Sequence, residues 1–291
     1  MVGAVWAGPF AEHGVTPDAA VAWASFVVES QGQSPATNIL GPVDANWAIG
    51  YPAGGSITVG FDYPIYNGAG PDFAVWENAF SVIGGGTKIF AELGYVDVST
   101  DGENWVTFPS VYLDDPNEYT NIEPNNVYNL AGNYIGHYVL IDQREGTPFD
   151  LDDLLNTAEV AAGLVDPNII NFVRIRDILS PPVGGSNYDQ ATYFSCEQCS
   201  ENHRISDGNA NTELGGGGGA DWDAVGIINV LSADFDKSGK VNLADLYILA
   251  QSWMSIDNGP GWNGRCDISD PNDGAVNYRD YNSFAEQWLK P

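Results

Sequence analysis

Twelve consecutive residues, DFDKSGKVNLAD at 234–245, place oxygen-bearing side chains at regular intervals around a glycine. This spacing is that of an EF-hand-type loop, in which Gly239 permits a sharp turn at the sixth position. Ca²⁺ takes about six to eight hard oxygen ligands, which side chains and one backbone carbonyl can supply here. The candidate metal ligands are Asp234, Asp236, Ser238, Lys240 through its carbonyl, Asn242 and Asp245. The twelfth position is therefore an aspartate, which is shorter than the usual bidentate glutamate.

A second copy of this pattern follows at an offset of 35 residues, with Val241 aligned to Val276. A duplication at a fixed offset supports a repeat more strongly than either loop does alone. The second loop, CDISDPNDGAVNYRD, has about two extra residues before its glycine, so Asp270 or Asn272 fills its third ligand position. The alternative is an Asp/Gly-rich surface turn that binds no metal. The candidate ligands of the second loop are Asp267, Asp273, Asn277 and Asp280.

Each loop runs into one short predicted helix, because apolar residues recur three or four positions apart after the last ligand. The pair of loop–helix repeats, about residues 232–291, resembles a dockerin domain. The resemblance implies two bound Ca²⁺ ions and a cohesin-like partner on a scaffold. In dockerins, partner contacts often come from a pair of small hydroxyl residues just before the last ligand. This chain departs from that pattern, with Leu243–Ala244 and Tyr278–Arg279 in those places.

Composition bounds the class of protein. The 291 residues include 10 Lys and Arg against 39 Asp and Glu, a net charge of −29. Such acidity argues against nucleic acid and anionic membrane surfaces as partners. The chain has no run of about 18 apolar residues and therefore no predicted membrane span. It also lacks a signal-peptide pattern at its start, so we interpret it as a secreted, extracellular or cell-surface protein without its leader.

The three cysteines leave the redox chemistry open. Cys196 and Cys199 form a CEQC pair, which is too isolated to predict a zinc site well, although His203 lies nearby. The alternative is a small-loop disulfide, with Cys266 unpaired or linked elsewhere.

Residues 1–231 are predicted to form one β-domain before the helical tail of residues 232–291. Alternating apolar and polar residues, separated by Gly, Pro and Asn/Asp turns, predict antiparallel strands. Asp101–Gly102 forms the predicted tip of a hairpin. Short helices are predicted at 17–27 and at 150–163, the second with Asp150 as its N-cap. The predicted strand segments are 54–65, 71–80, 93–108, 135–143, 170–178 and 220–230.

The stretches VDVSTDGENWVTF and FVRIRDI resemble those of discoidin-type or galactose-binding-like domains. The resemblance implies a jelly-roll β-sandwich, a class in which many members bind a structural Ca²⁺ and sugars. The series GGSITVGFDYPIYNGAGPDFAVWENAF, FAELGYVDVSTDG, GTPFDL and DWDAVGIINV is similar, over most of residues 40–230, to bacterial cell-surface proteins of undefined function.

Acidic residues at two strand ends suggest a second kind of calcium site, the alternative being ordinary solvent-facing acids. Asp221 and Asp223 are expected to share one face of a strand, because alternate strand residues point the same way. The candidates are Asp72, Glu77, Asn78, Asp221 and Asp223.

No catalytic motif is present, and an acid pair in so acidic a chain predicts nothing about glycoside hydrolysis. We therefore expect a non-catalytic protein. One hypothesis is self-association as a building block of a surface layer or extracellular fibre. The other is a carbohydrate-binding module tethered through its tail, and the least favoured is a polysaccharide-degrading enzyme. Aromatic side chains suited to sugar stacking are Trp47, Tyr51, Tyr66, Tyr134 and Trp222.

Overall fold

The computed structural model describes residues 14–50, 55–82, 86–114, 121–178, 219–269 and 271–289. This part of the chain is mostly β, with fifteen strands and three α-helices. The strands are β1 Ala22–Trp23, β2 Phe26–Gln31, β3 Gln33–Ser34, β4 Ala48–Gly50, β5 Ser56–Ile65, β6 Phe73–Glu77, β7 Phe80–Ser81, β8 Ile89–Phe90, β9 Gly94–Ser99, β10 Val106–Thr107, β11 Val111–Tyr112, β12 Val127–Tyr128, β13 Thr147–Phe149, β14 Ile170–Asp177 and β15 Gly219–Ile227. The helices are α1 Ala158–Ala161, α2 Leu243–Gln251 and α3 Tyr278–Gln287.

Two antiparallel sheets dominate the fold. One follows the order β13-β6-β15-β4-β3, with β1 also paired to β15, and the other follows the order β10-β9-β14-β5-β2. In the second sheet, Val173 of β14 lies opposite Val59 of β5 on one side and Val98 of β9 on the other. The last two strands in the sequence, β14 and β15, are therefore each at the centre of a sheet. Their neighbours come from earlier parts of the chain, which crosses between the sheets repeatedly.

The two sheets share one hydrophobic core, as in a β-sandwich. Val59 and Val173 enter this core from one sheet, and Phe73 and Val225 enter it from the other. The Phe73 and Phe149 rings stack with their centroids 5.1 Å apart. Alternate residues of these strands point into this core, and burial of their apolar side chains drives the packing. The mostly β, antiparallel architecture predicted from the sequence is thereby confirmed.

Most predicted elements of this domain form, and two do not. The segment 135–143 is not a strand: it bends, contains a 3-10 turn at Ile141–Gln143, and leaves Tyr138 and Leu140 exposed. The segment 17–27 is not a helix. Pro17 opens a single 3-10 turn, after which Ala22–Trp23 pairs with Gly226 and Ile227 of β15, because β4 pairs only with the first part of that strand and leaves this part free for β1. At 150–163 a 3-10 turn and α1 form, and Asp150 accepts the capping hydrogen bond from Asp152 N–H.

Helices α2 and α3 have a hydrophobic cluster of their own, which includes Phe235, Leu249 and Phe284. This cluster touches the sandwich through Tyr66, which packs against it. The guanidinium of Arg265 also lies 5.7 Å from the centroid of the Tyr63 ring. The tail therefore packs onto the β-sandwich. Among the helices that the structure describes, none is long and apolar enough to cross a membrane.

Candidate metal centres

The first loop is organised by two buried carboxylates at its ends. Asp234 Oδ2 accepts a hydrogen bond from Gly239 N–H at 2.7 Å, and its Oδ1 accepts one from Ser238 N–H at 3.0 Å. At the other end, Asp245 Oδ1 accepts from Phe235 N–H at 2.7 Å and from Asp236 N–H at 3.1 Å. The φ angle of Gly239 is +77°, which explains the glycine at the turn.

The same contacts recur in the second loop. Asp267 Oδ2 accepts from Gly274 N–H at 3.0 Å, and Gly274 has a φ angle of +75°. Asp280 Oδ1 accepts from Ile268 N–H at 2.8 Å and from Ser269 N–H at 2.9 Å. Asp267 and Gly274 thus correspond to Asp234 and Gly239, and Asp280 corresponds to Asp245. The two loops are structural repeats, despite the two extra residues in the second.

Each loop ends in a capping box that joins it to its helix. Asn242 caps α2 and Asn277 caps α3, each accepting a hydrogen bond from the backbone two residues later. In return, the carboxylates of Asp245 and Asp280 accept a hydrogen bond from the backbone N–H of Asn242 and Asn277. The last acid of each loop is therefore held by the helix as well as by the loop, which orients it towards the first acid.

These contacts bring acidic side chains together twice. In each group, one carboxylate oxygen from every residue lies within 4.8 Å of the others, and both groups could hold a metal ion. The first group is Asp234, Asp236 and Asp245, and the second is Asp267, Asp273 and Asp280. Ser238, Lys240, Asn242 and Asn277 complete the same loops and offer hydroxyl, carbonyl and amide oxygens. A donor set made only of oxygens suits a hard cation.

The electrostatics of the first loop fit the same interpretation. The pKa of Asp234 is raised to about 6: burial contributes most, backbone hydrogen bonds from Gly239 and Ser238 oppose it, and the neighbouring Asp236 and Asp245 carboxyls add to it. Asp234 is only 1% exposed. Negative charge gathered in this way is costly without a counter-charge, and a bound cation would supply one.

The correspondence between the two loops limits the choice of residue for the third ligand position of the second loop. Ser269 takes the place of Asp236, because its N–H donates to the final acid as that of Asp236 does. Asp273, next to Gly274, takes the place of Ser238. Of the two candidates named from the sequence, Asn272 is exposed, and Asp270 lies outside the described residues.

The second kind of site predicted for the sandwich is only partly assembled. Glu77, Asn78 and Asp221 come together, since Asn78 Nδ2 donates to Asp221 Oδ2 at 2.8 Å and Asp221 N–H donates to Glu77 Oε1 at 3.4 Å. Burial raises the pKa of Glu77 well above its ordinary value, and the charges of Glu92 and Asp221 raise it further. Glu92 was not predicted, since nothing in its local sequence marks it.

Asp72 and Asp223 serve other contacts. Asp72, at the opposite end of β6 from Glu77, accepts hydrogen bonds from Gly68 and Leu151 N–H, both at 2.7 Å. Asp223 forms a buried ion pair with Arg144 at 2.9 Å. Asp221 and Asp223 contact different partners, and the register of β15 shifts between Trp222 and Ala224, which interrupts the simple alternation on which their shared face was predicted.

The aromatic residues proposed for sugar stacking lie in different environments. Trp222 is fully buried against Gly94 and cannot stack on a ligand. Tyr66 packs against the tail, and Tyr51 lies outside the described residues. Trp47 is half-buried, with its ring 4.9 Å from that of His137.

The cysteines add no metal ligand to the described part of the chain. Cys266 is a buried free thiol in the tail core, and burial raises its pKa. Cys196 and Cys199 lie outside the described residues.

No protein-family model matches this chain, and no curated protein is similar to it.

Proposed function

We propose that the chain is a non-catalytic, extracellular protein whose residues 232–291 form a dockerin-like tail that binds one Ca²⁺ in each loop. The observation that carries the proposal is the matched pair of loops, in which Asp234, Gly239 and Asp245 correspond to Asp267, Gly274 and Asp280. Calcium is favoured over zinc because the donors are oxygens alone. It is favoured over Mg²⁺ because Mg²⁺ is seldom enclosed by protein ligands alone, whereas Ca²⁺ accepts the six or more oxygens that such a loop can offer.

We further propose that the protein serves attachment or assembly, with a galactose-binding-like sandwich carried by the tail. Leu243 and Tyr278, which precede the last ligands where dockerins contact their partners, are 71% and 70% exposed. Large apolar side chains exposed at equivalent places in two repeats suit a protein partner. That partner is a second copy of the chain in a fibre or surface layer, or a cohesin-like domain.

Calcium would promote assembly in two ways. It orders the loops that present Leu243 and Tyr278, and it lowers the repulsion between chains that each carry a net charge of −29. The test is sedimentation or light scattering of the purified chain across a calcium titration, with a Leu243→Ser/Tyr278→Ser variant as comparison. We expect calcium-dependent assembly that the variant weakens. A monomer at every calcium level would leave only the cohesin-like partner.

A carbohydrate-binding function is the second candidate, and one surface favours it. Tyr138 is 79% exposed and stacks on His137 with the ring centroids 3.9 Å apart. An exposed aromatic ring whose orientation is fixed by stacking on a second ring suits packing against a sugar. Binding to neutral polysaccharides that Tyr138→Ala abolishes and Tyr247→Ala leaves intact would support this function. An assay of reducing sugars released from the same polysaccharides would detect hydrolysis.

A further inference from the structure

Three acidic side chains meet inside the β-sandwich, away from the tail. Glu77 at the end of β6 is 2% exposed, Glu92 just before β9 is 5% exposed, and Asp221 near the start of β15 is half-buried. Glu77 lies directly opposite Trp222 in the ladder between β6 and β15, so Asp221 is beside it. The three residues come from distant parts of the sequence and do not form a loop motif.

Each of the two paired carboxylates keeps one oxygen without a partner. Glu77 Oε1 accepts from Asp221 N–H at 3.4 Å and Asp221 Oδ2 accepts from Asn78 Nδ2 at 2.8 Å. Glu77 Oε2 and Asp221 Oδ1 are buried and have no hydrogen-bond partner among the described residues. Buried polar atoms are nearly always paired, and a buried carboxylate oxygen without a donor is strongly unfavourable.

The backbone around Glu77 and Glu92 is tightly packed against two glycines. A Cβ at Gly136 would overlap the carbonyl oxygen of Glu77. A Cβ at Gly132 would overlap the carbonyl oxygen of Glu92 and lie 3.6 Å from Glu77 Cγ.

We propose that Glu77 and Asp221 bind a hard divalent cation inside the sandwich, with Glu92 adding negative charge and Asn78 orienting Asp221. Two carboxylate oxygens that lack donors are the atoms such an ion needs. The ion is Ca²⁺ or Mg²⁺, since both take oxygen ligands and are common outside cells. This site is separate from the two tail loops and would stabilise the sandwich itself.

The test counts the ions bound by the full chain. Ca²⁺ and Mg²⁺ are titrated separately into metal-free wild type, Glu77→Gln, Asp221→Asn and the control Glu103→Gln, which changes an exposed acid of the β9–β10 hairpin. We expect Glu77→Gln and Asp221→Asn each to bind one ion fewer than wild type with either Ca²⁺ or Mg²⁺. The control should bind the wild-type number, and Asp234→Ala should remove a different ion.

Thermal unfolding of the same proteins separates a cation from a proton. If Glu77 simply carries a proton, glutamine is a near-isosteric replacement, so ion count and melting temperature would match wild type and the proposal would be overturned. If a cation is bound, chelation lowers the melting temperature of the sandwich in wild type and not in Glu77→Gln. Asp221→Asn, at a less buried position, gives the same comparison should Glu77→Gln fail to fold.

Discussion

The Asp245 carboxylate accepts a hydrogen bond from the Phe235 N–H at 2.7 Å, so the last acid of the first loop is tied to the start of the same loop. The equivalent bond from Ile268 N–H to Asp280 is 2.8 Å long. Both loops are therefore closed by backbone contacts that hold the carboxylates near one another. A cation would act on loops that are already shaped for it, and its removal would leave their negative charge uncompensated.

Replacement of Asp234 should cost more than replacement of Asp273. Asp234→Ala removes a buried carboxylate and two backbone hydrogen bonds, whereas Asp273 is exposed. We expect Asp234→Ala to abolish one calcium site and destabilise the tail by about 2–3 kcal/mol. Asp273→Ala should weaken calcium binding and cost about 1 kcal/mol or less. Calorimetric titration and chemical unfolding measure both, with exposed Glu286→Ala as control. The reverse order would contradict the assignment of Asp234 as a buried ligand of the first loop and of Asp273 as an exposed ligand of the second.

The two loop glycines form a matched pair for mutation. Gly239→Ala and Gly274→Ala both place a side chain in a left-handed conformation, at a cost of about 1–2 kcal/mol. A Cβ at Gly239 would also overlap Ile169 of the sandwich, whereas one at Gly274 would lie 3.9 Å from Asp257 Cβ. Gly239→Ala should therefore destabilise the chain more, and Ile169→Ala should reduce that excess. Equal effects in thermal unfolding would show that the first loop does not rest on the sandwich.

The lowered pKa of Asp97 predicts how the stability of the sandwich changes at low pH. Burial alone would raise the pKa of Asp97, but hydrogen bonds from Arg176 and Thr107, the charge of Arg176 and a bond from Arg174 together lower it. The stabilisation is therefore present above the unfolded pKa of about 4 and is lost as pH falls through the lower folded pKa. Asp97→Asn should cost about 2 kcal/mol at pH 7, since partly exposed arginines are screened by solvent.

Urea unfolding at neutral pH and near pH 2 measures this difference between wild type and Asp97→Asn. The two proteins should converge in acid, and the exposed Glu103→Gln control should follow wild type throughout. A constant difference at both pH values would show that the charge of Asp97 is not the cause.

Asp150 predicts the opposite pH dependence. Burial raises the pKa of Asp150 to about 6, with Asp72, Asp152 and Asp153 adding repulsion against the bond from Asp152 N–H. The folded chain thus binds this proton more tightly than the unfolded chain does, so stability falls as pH rises from about 4 to about 6. Asp150→Asn keeps a capping oxygen and removes the charge.

We expect Asp150→Asn to be more stable than wild type above pH 6 by about 1 kcal/mol, because Asp150 is half-exposed and its repulsion is screened. The two should be nearly equal below pH 4. Unfolding profiles across this range measure the difference, with exposed Asp142→Asn as control. A less stable variant at pH 7 would show that the cap outweighs the repulsion.

The features that the sequence predicted best are local. The clustering of the loop acids, the Asp101–Gly102 hairpin tip and the Asp150 cap each depend on residues within about a dozen positions of one another, so their spacing is enough. The repeat also pairs Asp245 with Asp280 without knowledge of the fold. Strands β5, β6, β9, β14 and β15 were predicted because their alternating faces are long enough to show a period of two.

The features that the sequence missed depend on distant contacts. Asp72 and Glu77 lie at opposite ends of β6, about 16 Å apart, so they cannot share an ion. The sequence alone does not show which residues from other strands lie beside each end of β6. The register shift in β15 lies between Asp221 and the strand residues after Asp223, and no residue type in the sequence marks it. Glu92 is far from Glu77 in the sequence and lies near it only in the folded chain. The apolar segment 135–143 was wrongly predicted to be a strand, because its apolar side chains are exposed instead of packed in a sheet.

The most direct test of the central claim is the number of Ca²⁺ ions bound by wild type and by the Asp245→Ala/Asp280→Ala double variant, measured by calorimetric titration of the full chain. Each substitution removes a buried carboxylate that its loop and helix hold in place. We expect the double variant to bind two ions fewer than wild type and each single variant to bind one fewer, because each loop binds one Ca²⁺. An unchanged number of bound ions in the double variant would contradict this claim.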